Sequence, residues 1–276
     1  MLAAEQELGR LLGQPEDKID LGRAALVVAR TEYPDLDVDA GVARLDEMAD
    51  QASAHVSIQP DAASRVSALR AFLAGVCGFR GNEEDYYDPK NSFLNDVLER
   101  RLGIPITLSV VYMEVGRRLG MTLFGVGLPG HFLVKYQDRH GRFFLDPFRG
   151  GRSVTSADCR EMITRMYQGQ IDFQDEFLAA VDKRYILMRM LNNLRGIYFH
   201  RRQPAKALAV VEMVLAIEPA SGDDLKQRGI LHYQLHNYRQ AREDLEAYLF
   251  LNPEARDSQQ VKQTLAELKK ASAMLN

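Results

Sequence analysis

The chain has 276 residues, of which 46% are apolar and 26% charged, and its formal net charge is −3. This composition is typical of an ordinary globular protein with one large or two medium domains. A slightly acidic chain has no general attraction for phosphate backbones or anionic lipids, so we predict neither a nucleic acid nor a membrane partner.

The two cysteines, Cys77 and Cys159, are too few for a disulfide framework, and no Cys/His cluster has metal-ligand spacing. We therefore predict no metal and no other cofactor. The N-terminal segment lacks the basic start and apolar run of a signal peptide, and no later run approaches the roughly 18 apolar residues of a membrane span. We expect a cytoplasmic protein.

Apolar residues recur at helical spacing through most of residues 1–90, which predicts several amphipathic helices in succession. Residues 78–91 have no such period and are predicted to be a loop. Its acids, Glu83, Glu84, Asp85 and Asp88, match no calcium-loop template, so a solvated loop is the simpler interpretation.

A helix is predicted from Pro105, a residue favoured in a first helical turn, to Gly120, a residue favoured just past a helix end. After Gly120 the period changes to two, and β-branched and aromatic residues become frequent. The segments TLFGVGL, HFLVKYQ and RFFLDP are predicted to be three strands.

The last two strands form a hairpin whose register can be deduced. If Asp138–Gly141 is an even-membered turn, Gln137 pairs with Arg142. The residue numbers of any two cross-strand partners then add to 279. One face then carries an unbroken apolar set that must lie on the core: Phe132, Val134, Tyr136, Phe143 and Leu145. On the other face His131 and Asp146 become diagonal neighbours, with backbones roughly 7–8 Å apart, so their side chains are predicted to meet.

From about residue 184 the chain is helical again and repeats itself after 34 residues. The shift places Leu191 on Leu225, Ala207 on Ala241, Val211 on Leu245, and Pro219 on Pro253. A helix-turn-helix unit of this length is the tetratricopeptide (TPR) repeat. Val261, Leu265 and Leu268 then predict a final capping helix.

A histidine oriented by a carboxylate is two thirds of an acyl-transfer triad. The order helix, strand with His131, strand with Asp146 is that of the transglutaminase-like, papain-related fold, in which a cysteine opens the helix. No cysteine lies between residues 78 and 158. Aligning the helix starts puts Pro105 at the nucleophile position.

Three motifs carry a family resemblance: NSFLNDVLERRLGIPITLSVVYMEVGRRLG, GLPGHFLVKY and FLDPFRGG. With them the chain closely resembles bacterial proteins described as regulators of sirC expression. The resemblance implies a transglutaminase-like domain followed by TPR repeats, with the family's His and Asp at His131 and Asp146. It also implies a missing catalytic cysteine, consistent with Pro105, and a regulatory association.

Three other side chains are candidate nucleophiles. Cys77, in GVCG, mimics the usual G-x-C start but ends a helix, and its structural alternative is a buried small apolar residue. Thr107 and Ser109 lie near the start of the helix from Pro105, where capping or hydrogen bonding to the helix backbone explains them equally well. For His131 the alternative is a buried ring that braces Asp146.

We therefore predict an α+β fold in which residues 1–183 form the transglutaminase-like domain and residues 184–276 the all-α TPR-like block. Within the first domain, residues 1–90 are helical and residues 91–150 hold the helix and antiparallel sheet. The predicted function is that of a pseudoenzyme, a non-catalytic interaction or regulatory module that binds a protein or peptide through the TPR-like block. The alternative is a cysteine-independent hydrolase or acyl-transferase that uses the His–Asp pair.

Overall fold

The computed structural model describes residues 3–138 and 141–274. Within them the helices are α1 (Ala4–Leu12), α2 (Leu21–Ala29), α3 (Val38–Val56), α4 (Ala62–Arg70), α5 (Leu94–Arg100), α6 (Pro105–Arg118), α7 (Ser156–Tyr167), α8 (Lys183–His200), α9 (Pro204–Ile217), α10 (Gly222–Gln234), α11 (Tyr238–Leu251) and α12 (Ser258–Met274). The strands are β1 (Arg80–Gly81), β2 (Leu102–Gly103), β3 (Leu123–Val126), β4 (Leu133–Asp138), β5 (Gly141–Asp146), β6 (Arg152–Val154) and β7 (Ala180–Val181). The fold is α+β, as predicted.

The chain divides into two compact units. One runs from Gln14 to Met190, and the other joins the N-terminal residues up to Gly13 to the part of the chain from Leu191 onward. The domain boundary at residues 183 and 184 stays a prediction from sequence. No helix in the described ranges is both long and apolar enough to cross a bilayer.

The first helices of the Gln14–Met190 unit begin where the sequence offers carboxylate caps. The side chains of Asp20, Asp37 and Asp61 each accept a hydrogen bond from a backbone N–H in the first turn of the helix that follows. Helix α2 is apolar except at Arg23 and packs on α3, α5 and α6, so its other eight residues are buried. Helix α4 continues into a π-helical turn at Ala71–Val76.

Five strands form one antiparallel sheet in the order β6-β5-β4-β3-β7. The hairpin register is confirmed: Gln137 pairs with Arg142, and Val134 with Leu145. The two residues at the tip of the predicted turn, 139 and 140, lie outside the described residues. Strands β6 and β7 were not predicted, because two or three residues are too few to display a period of two.

The sheet is covered on both faces, although the sequence predicted only one apolar face. On the face predicted to meet the core, Leu123 would clash with any side chain larger than hydrogen at Gly116 of α6, so strand and helix touch there. On the other face Leu133 and Phe144 are also buried, in a cluster with Cys159 and Ile163 of α7. Helix α7 supplies the second cover, and burial raises the pKa of the Cys159 thiol to about 11.

The second unit is built from helical pairs, as the 34-residue period predicted. Moving α9 along by 34 residues gives the bounds of α11, and the matched alanines Ala207 and Ala241 are both buried. The predicted cap is α12, whose Val261, Leu265 and Leu268 are buried against α11. Helix α1 also belongs to this unit, where it packs against α9.

Candidate functional site

Asp146 is the last residue of β5 and is fully buried. Its Oδ1 accepts hydrogen bonds from the backbone N–H groups of Phe148, at 3.1 Å, and Arg149, at 3.3 Å. Pro147 opens this short helical turn, where its fixed φ fits and its missing N–H loses no bond. The backbone thus holds one carboxylate oxygen, which leaves Oδ2 to face a side chain.

His131 lies just before β4 and follows Gly130, whose φ of +69° costs a glycine little. Its backbone N–H donates to the carbonyl of Leu128 at 3.2 Å, and its carbonyl accepts from the guanidinium of Arg189 at 2.7 Å. The same guanidinium binds the carbonyl of Leu128 at 2.8 Å. The position of the imidazole is therefore fixed through the main chain on both sides.

The side chains of His131 and Asp146 meet, as the register predicted. Nε2 of the ring lies 3.0 Å from Oδ2 of the carboxylate, and the imidazole side chain is only 10% exposed. This separation suits a hydrogen bond, but the N–H direction does not, and neither atom has a hydrogen-bond partner in the described chain. We treat the pair as a close electrostatic contact, with Arg149 Nε 3.9 Å from the same oxygen.

Aromatic rings connect His131 to the loop after β1. The imidazole meets the Phe148 ring edge to face at a centroid distance of 6.3 Å, and Phe148 meets Tyr86 at 5.8 Å. Tyr86 in turn meets Tyr87 at 5.3 Å. A Cβ at Gly81 would lie 2.5 Å from the Phe148 ring, so only glycine lets β1 approach this closely. These edge-to-face contacts are the geometry that aromatic quadrupoles favour.

Two buried asparagines shape the loop of residues 82–91. Asn82 Nδ2 donates to Asn91 Oδ1 at 3.0 Å, and Asn82 Oδ1 accepts from the backbone of Asp85. Asn91 Nδ2 donates to the carbonyls of Asp85 and Tyr86. Asp88, one of the four loop acids, pairs with Arg100 at 3.0 Å. The amides thus hold Tyr86 in place by bonding the backbone beside it.

Pro105 is the first residue of α6, where the sequence predicted it. The two hydroxyls that follow are fully buried and donate to backbone carbonyls: Thr107 to Asn91 at 2.9 Å, and Ser109 to Pro105 at 2.8 Å. A hydroxyl has one proton to donate, and here each is bound to the main chain. Within the described ranges no hydroxyl or thiol is hydrogen-bonded to the His131 ring.

Residues 39–192 match the model of the transglutaminase-like superfamily, and residues 194–266 match a tetratricopeptide repeat model. A UPF0162 protein of Xylella fastidiosa is 36% identical over 92% of this chain and 91% of its own length. UPF0162 protein PA3419 of Pseudomonas aeruginosa is 32% identical over 90% of each chain. The chain belongs to the UPF0162 family of transglutaminase-like proteins. F-box only protein 21 of mouse is 33% identical over 47% of this chain but only 21% of its own length.

The remaining nucleophile candidate of this UPF0162 chain is Cys77, which lies at the end of the π-helical turn after α4. Burial raises the pKa of its thiol, and the charge of Arg101 opposes that effect only in part. A raised pKa leaves little thiolate at neutral pH, and the thiolate is the nucleophilic form. The surroundings of Cys77 therefore favour an inert thiol.

Tyr112 of α6, which was not predicted as a site residue, is fully buried and lies near the Asp146 carboxylate of the UPF0162 chain. Burial is the main cause of its raised pKa, and the nearby charge of Asp146 adds to it. A Cβ on Gly151 would lie 2.7 Å from the Tyr112 hydroxyl, which places that hydroxyl against the turn after β5. Helical periodicity marks such a residue only as core, so its polar end gave no signal.

The described residues contain no group of three or more His, Cys, Asp and Glu side chains arranged to hold a metal ion. The site of this UPF0162 chain consists of the Asp146 carboxylate, the His131 imidazole, the buried Tyr112 hydroxyl and the neighbouring aromatic rings. Such a set can move or hold a proton, but it carries no side chain that is prepared to attack an acyl carbon.

Proposed function

We propose that this UPF0162 protein is a non-catalytic interaction module of the bacterial cytoplasm, in which the TPR block binds a protein partner and the His131–Asp146 pair is a structural remnant. The observation that carries the proposal is Pro105 at the first turn of α6. A proline supplies no nucleophile, and it also removes a backbone N–H from the helix end that would activate one.

The other groups near the helix start support the same conclusion. The Thr107 and Ser109 hydroxyls donate to carbonyls and are fully buried, so no substrate carbonyl can approach them without breaking these bonds. What survives of a triad is the contact between His131 and Asp146. That contact joins the start of β4 to the end of β5, and we assign it to bracing this end of the hairpin.

The TPR block offers a surface for binding. Phe199 on α8 and Tyr233 on α10 are 34 residues apart. Phe199 is 41% exposed and Tyr233 is 40% exposed. Ile230, one turn before Tyr233, is 44% exposed. Large apolar side chains that are exposed at matching places in two successive repeats indicate a contact surface rather than chance exposure. A regulatory role, as implied by the family resemblance, would act through such binding.

Two measurements on the full-length chain test the proposal. The first is turnover of p-nitrophenyl esters and glutamine amides by the wild type and by His131→Ala and Thr107→Val. We expect the same background rate for all three. Loss of a working base would lower the rate by roughly 10²- to 10⁴-fold, and a fall of that size in both variants would establish the hydrolase or acyl-transferase alternative instead.

The second measurement is capture of partners from a bacterial lysate by the wild type, by His131→Ala, by Phe199→Ala with Tyr233→Ala, and by Ile58→Ala. Ile58 is 75% exposed on the other unit and is the matched control. We expect a partner that is retained by the wild type, by His131→Ala and by the control but lost by the TPR double variant. A partner lost only with His131→Ala would assign binding to the site instead.

A further inference from the structure

A groove lies within the repeat unit, between the end of α8, the start of α9 and the end of α10. Its volume is about 370 Å³, and its apolar lining includes Phe199, Pro204, Ala207 and Leu231. This volume is within the range of natural ligand pockets, roughly 300–1,000 Å³, and accommodates one or two large side chains. Ala207 and Leu231 are buried and form its floor, whereas Phe199 is partly exposed.

Cations are frequent in the two segments that turn beside this groove, although Arg239 is paired with Glu243 at 3.8 Å. Residues 199–211 contain Arg201, Arg202 and Lys206, and residues 233–242 contain Arg239 and Arg242, with no Asp or Glu in either segment. The chain as a whole carries −3, so this concentration of cations is local. Arg202 lines the groove itself and is exposed. The field at this surface attracts anions.

The two turns beside the groove each hold a residue in the left-handed region, as the helix ends at Arg101 and Gln168 also do. Arg202 has φ +53° and His236 has φ +62°, and the two are equivalent positions, 34 residues apart. The left-handed region is costly for any residue with a Cβ and suits glycine. Both repeats nevertheless carry a basic side chain there.

Gln203, between Arg202 and Pro204, also lines the groove. It is the N-cap residue of α9, but its side chain makes no capping bond, and its buried Oε1 has no hydrogen-bond partner in the described chain. A buried amide oxygen without a donor is unfavourable. An extended peptide has backbone N–H groups that can supply the missing donor.

From these observations we propose that the groove binds an extended acidic segment of a partner protein. An apolar side chain of the segment would enter between Phe199 and Leu231, flanking carboxylates would lie beside Arg202, and a backbone N–H would donate to Gln203 Oε1. This inference rests on the proposed interaction function and adds to it the chemistry of the partner.

The test is fluorescence anisotropy with labelled decapeptides and the full-length chain. One peptide alternates Glu and Leu, a second replaces Glu by Gln, and a third replaces Leu by Ser. We expect the first to bind at least about tenfold more tightly than either other peptide, and its affinity to fall with added salt. Equal binding of the Gln peptide would overturn the role of charge, and equal binding of the Ser peptide would overturn the groove.

Three variants make the test specific. Arg202→Gly removes the charge but suits the left-handed backbone, so we expect a melting temperature equal to or above that of the wild type together with about tenfold weaker binding. Phe199→Ala should weaken binding as well. Arg256→Glu changes an exposed cation elsewhere in the block and should leave affinity within about twofold.

The outcomes separate the two proposals. If Arg202→Gly and Arg256→Glu reduce affinity equally, the effect is one of net charge and the groove assignment is wrong. If no peptide shows a preference for acid while the TPR double variant still loses a captured partner, the acidic segment is wrong but the interaction function stands. If capture does not depend on the TPR surface, the interaction function itself fails.

Discussion

One half-buried tyrosine and one fully buried tyrosine illustrate how differently one residue type is used in this protein. Burial is the main cause of the raised pKa of both Tyr33 and Tyr112. The Tyr33 hydroxyl donates to Asp96 at 2.8 Å, whereas the Tyr112 hydroxyl has no partner in the described residues. A buried hydroxyl without a partner costs about 1–3 kcal/mol, while a satisfied one contributes about 1 kcal/mol.

Phenylalanine substitutions should therefore have opposite effects. We expect Tyr112→Phe to leave the free energy of unfolding unchanged or to raise it by up to about 1 kcal/mol. Tyr33→Phe should lower it by about 1–2 kcal/mol, because Asp96 loses its donor. Urea denaturation of the two variants and the wild type measures both changes. A larger loss for Tyr112→Phe than for Tyr33→Phe would mean that the Tyr112 hydroxyl has a partner after all.

Asp257 is the centre of a polar cluster in the repeat unit. Its carboxylate accepts from Lys226 at 2.8 Å and from Tyr248, and these hydrogen bonds hold its pKa below the ordinary value. Lys226 is also 3.4 Å from Asp223, and its own pKa is raised, chiefly by the bond to Asp257. The cluster ties α10 to the residues just before α12.

The direction of these shifts gives a pH prediction. A carboxyl with a lowered folded-state pKa stabilises the fold above its unfolded pKa, about 3.9, and this contribution is lost as the pH falls through the folded value. The stabilisation linked to the raised pKa of Lys226 is fully present below about pH 10.4 and falls only above it, so it is constant across this window. The stability difference between wild type and Asp257→Asn should thus be constant from pH 5 to 7 and shrink below about pH 4.

Urea melts at each pH measure that difference. The same substitution in a Lys226→Met background is the control, because it lacks the main group that lowers the pKa of Asp257. In the Lys226→Met background, the stability change caused by Asp257→Asn should depend less on pH. If the stability difference between the wild type and Asp257→Asn grew on acidification, the lowered pKa assigned to Asp257 would be wrong.

At the scale of elements, the hairpin register and the 34-residue repeat could be read from the sequence because each rests on many residues. Alternation in β4 and β5 left one consistent pairing, and that pairing brought His131 to Asp146. Strands β1, β2, β6 and β7 span only two or three residues, so they depend on neighbours that no local pattern encodes. The amide contacts of Asn82 and Asn91 were missed for the same reason.

The repeat departs from its own pattern at Arg228, which stands where the first repeat has Leu194. The structure explains the exception. The guanidinium donates to both carboxylate oxygens of Asp244, at 2.8 and 2.6 Å, and the Asp244 side chain is only 7% exposed. His232 Nε2 lies 4.0 Å from the same carboxylate. A fork-shaped ion pair links α10 to α11 in place of an apolar contact.

Breaking this pair from one side should be costly. We expect Arg228→Met to lower the free energy of unfolding by about 3 kcal/mol, because it leaves the buried Asp244 carboxylate without its cation. Arg228→Met with Asp244→Leu should recover most of that loss. Chemical denaturation of the two single variants and the double variant forms the cycle. Additive losses, with no recovery, would mean that the two side chains do not act as a pair.

At the scale of the whole molecule, the N-terminal helix is grouped with the C-terminal repeats. Leu8, Leu11 and Leu12 of α1 are buried, and the helix packs on α9. Amphipathic spacing predicted that α1 has an apolar face but not which helix covers it, because periodicity identifies a face and never a partner. The predicted first domain of residues 1–183 includes α1, whereas contacts join it to the repeats.

The packing of α1 makes a testable claim about the repeat unit. Leu8→Ala removes a fully buried side chain and should lower the free energy of unfolding by about 2–5 kcal/mol. Arg10→Ala changes an exposed residue of the same helix and should stay within about 0.5 kcal/mol. Hydrogen exchange should then show faster exchange in α9 for Leu8→Ala alone. If Leu8→Ala left the hydrogen-exchange protection of α9 unchanged, α1 would not stabilise the repeats.

The pairing of α1 with α9 also orders events during synthesis. Helix α1 is translated before α9, yet the surface that covers its leucines does not exist until residue 217 has been added. The whole segment from Gln14 to Met190 is synthesised in between, and it can fold as a unit before α9 is available for α1 to pack on. A change in α1 should consequently disturb the folding of the repeats, far along the chain from the alteration.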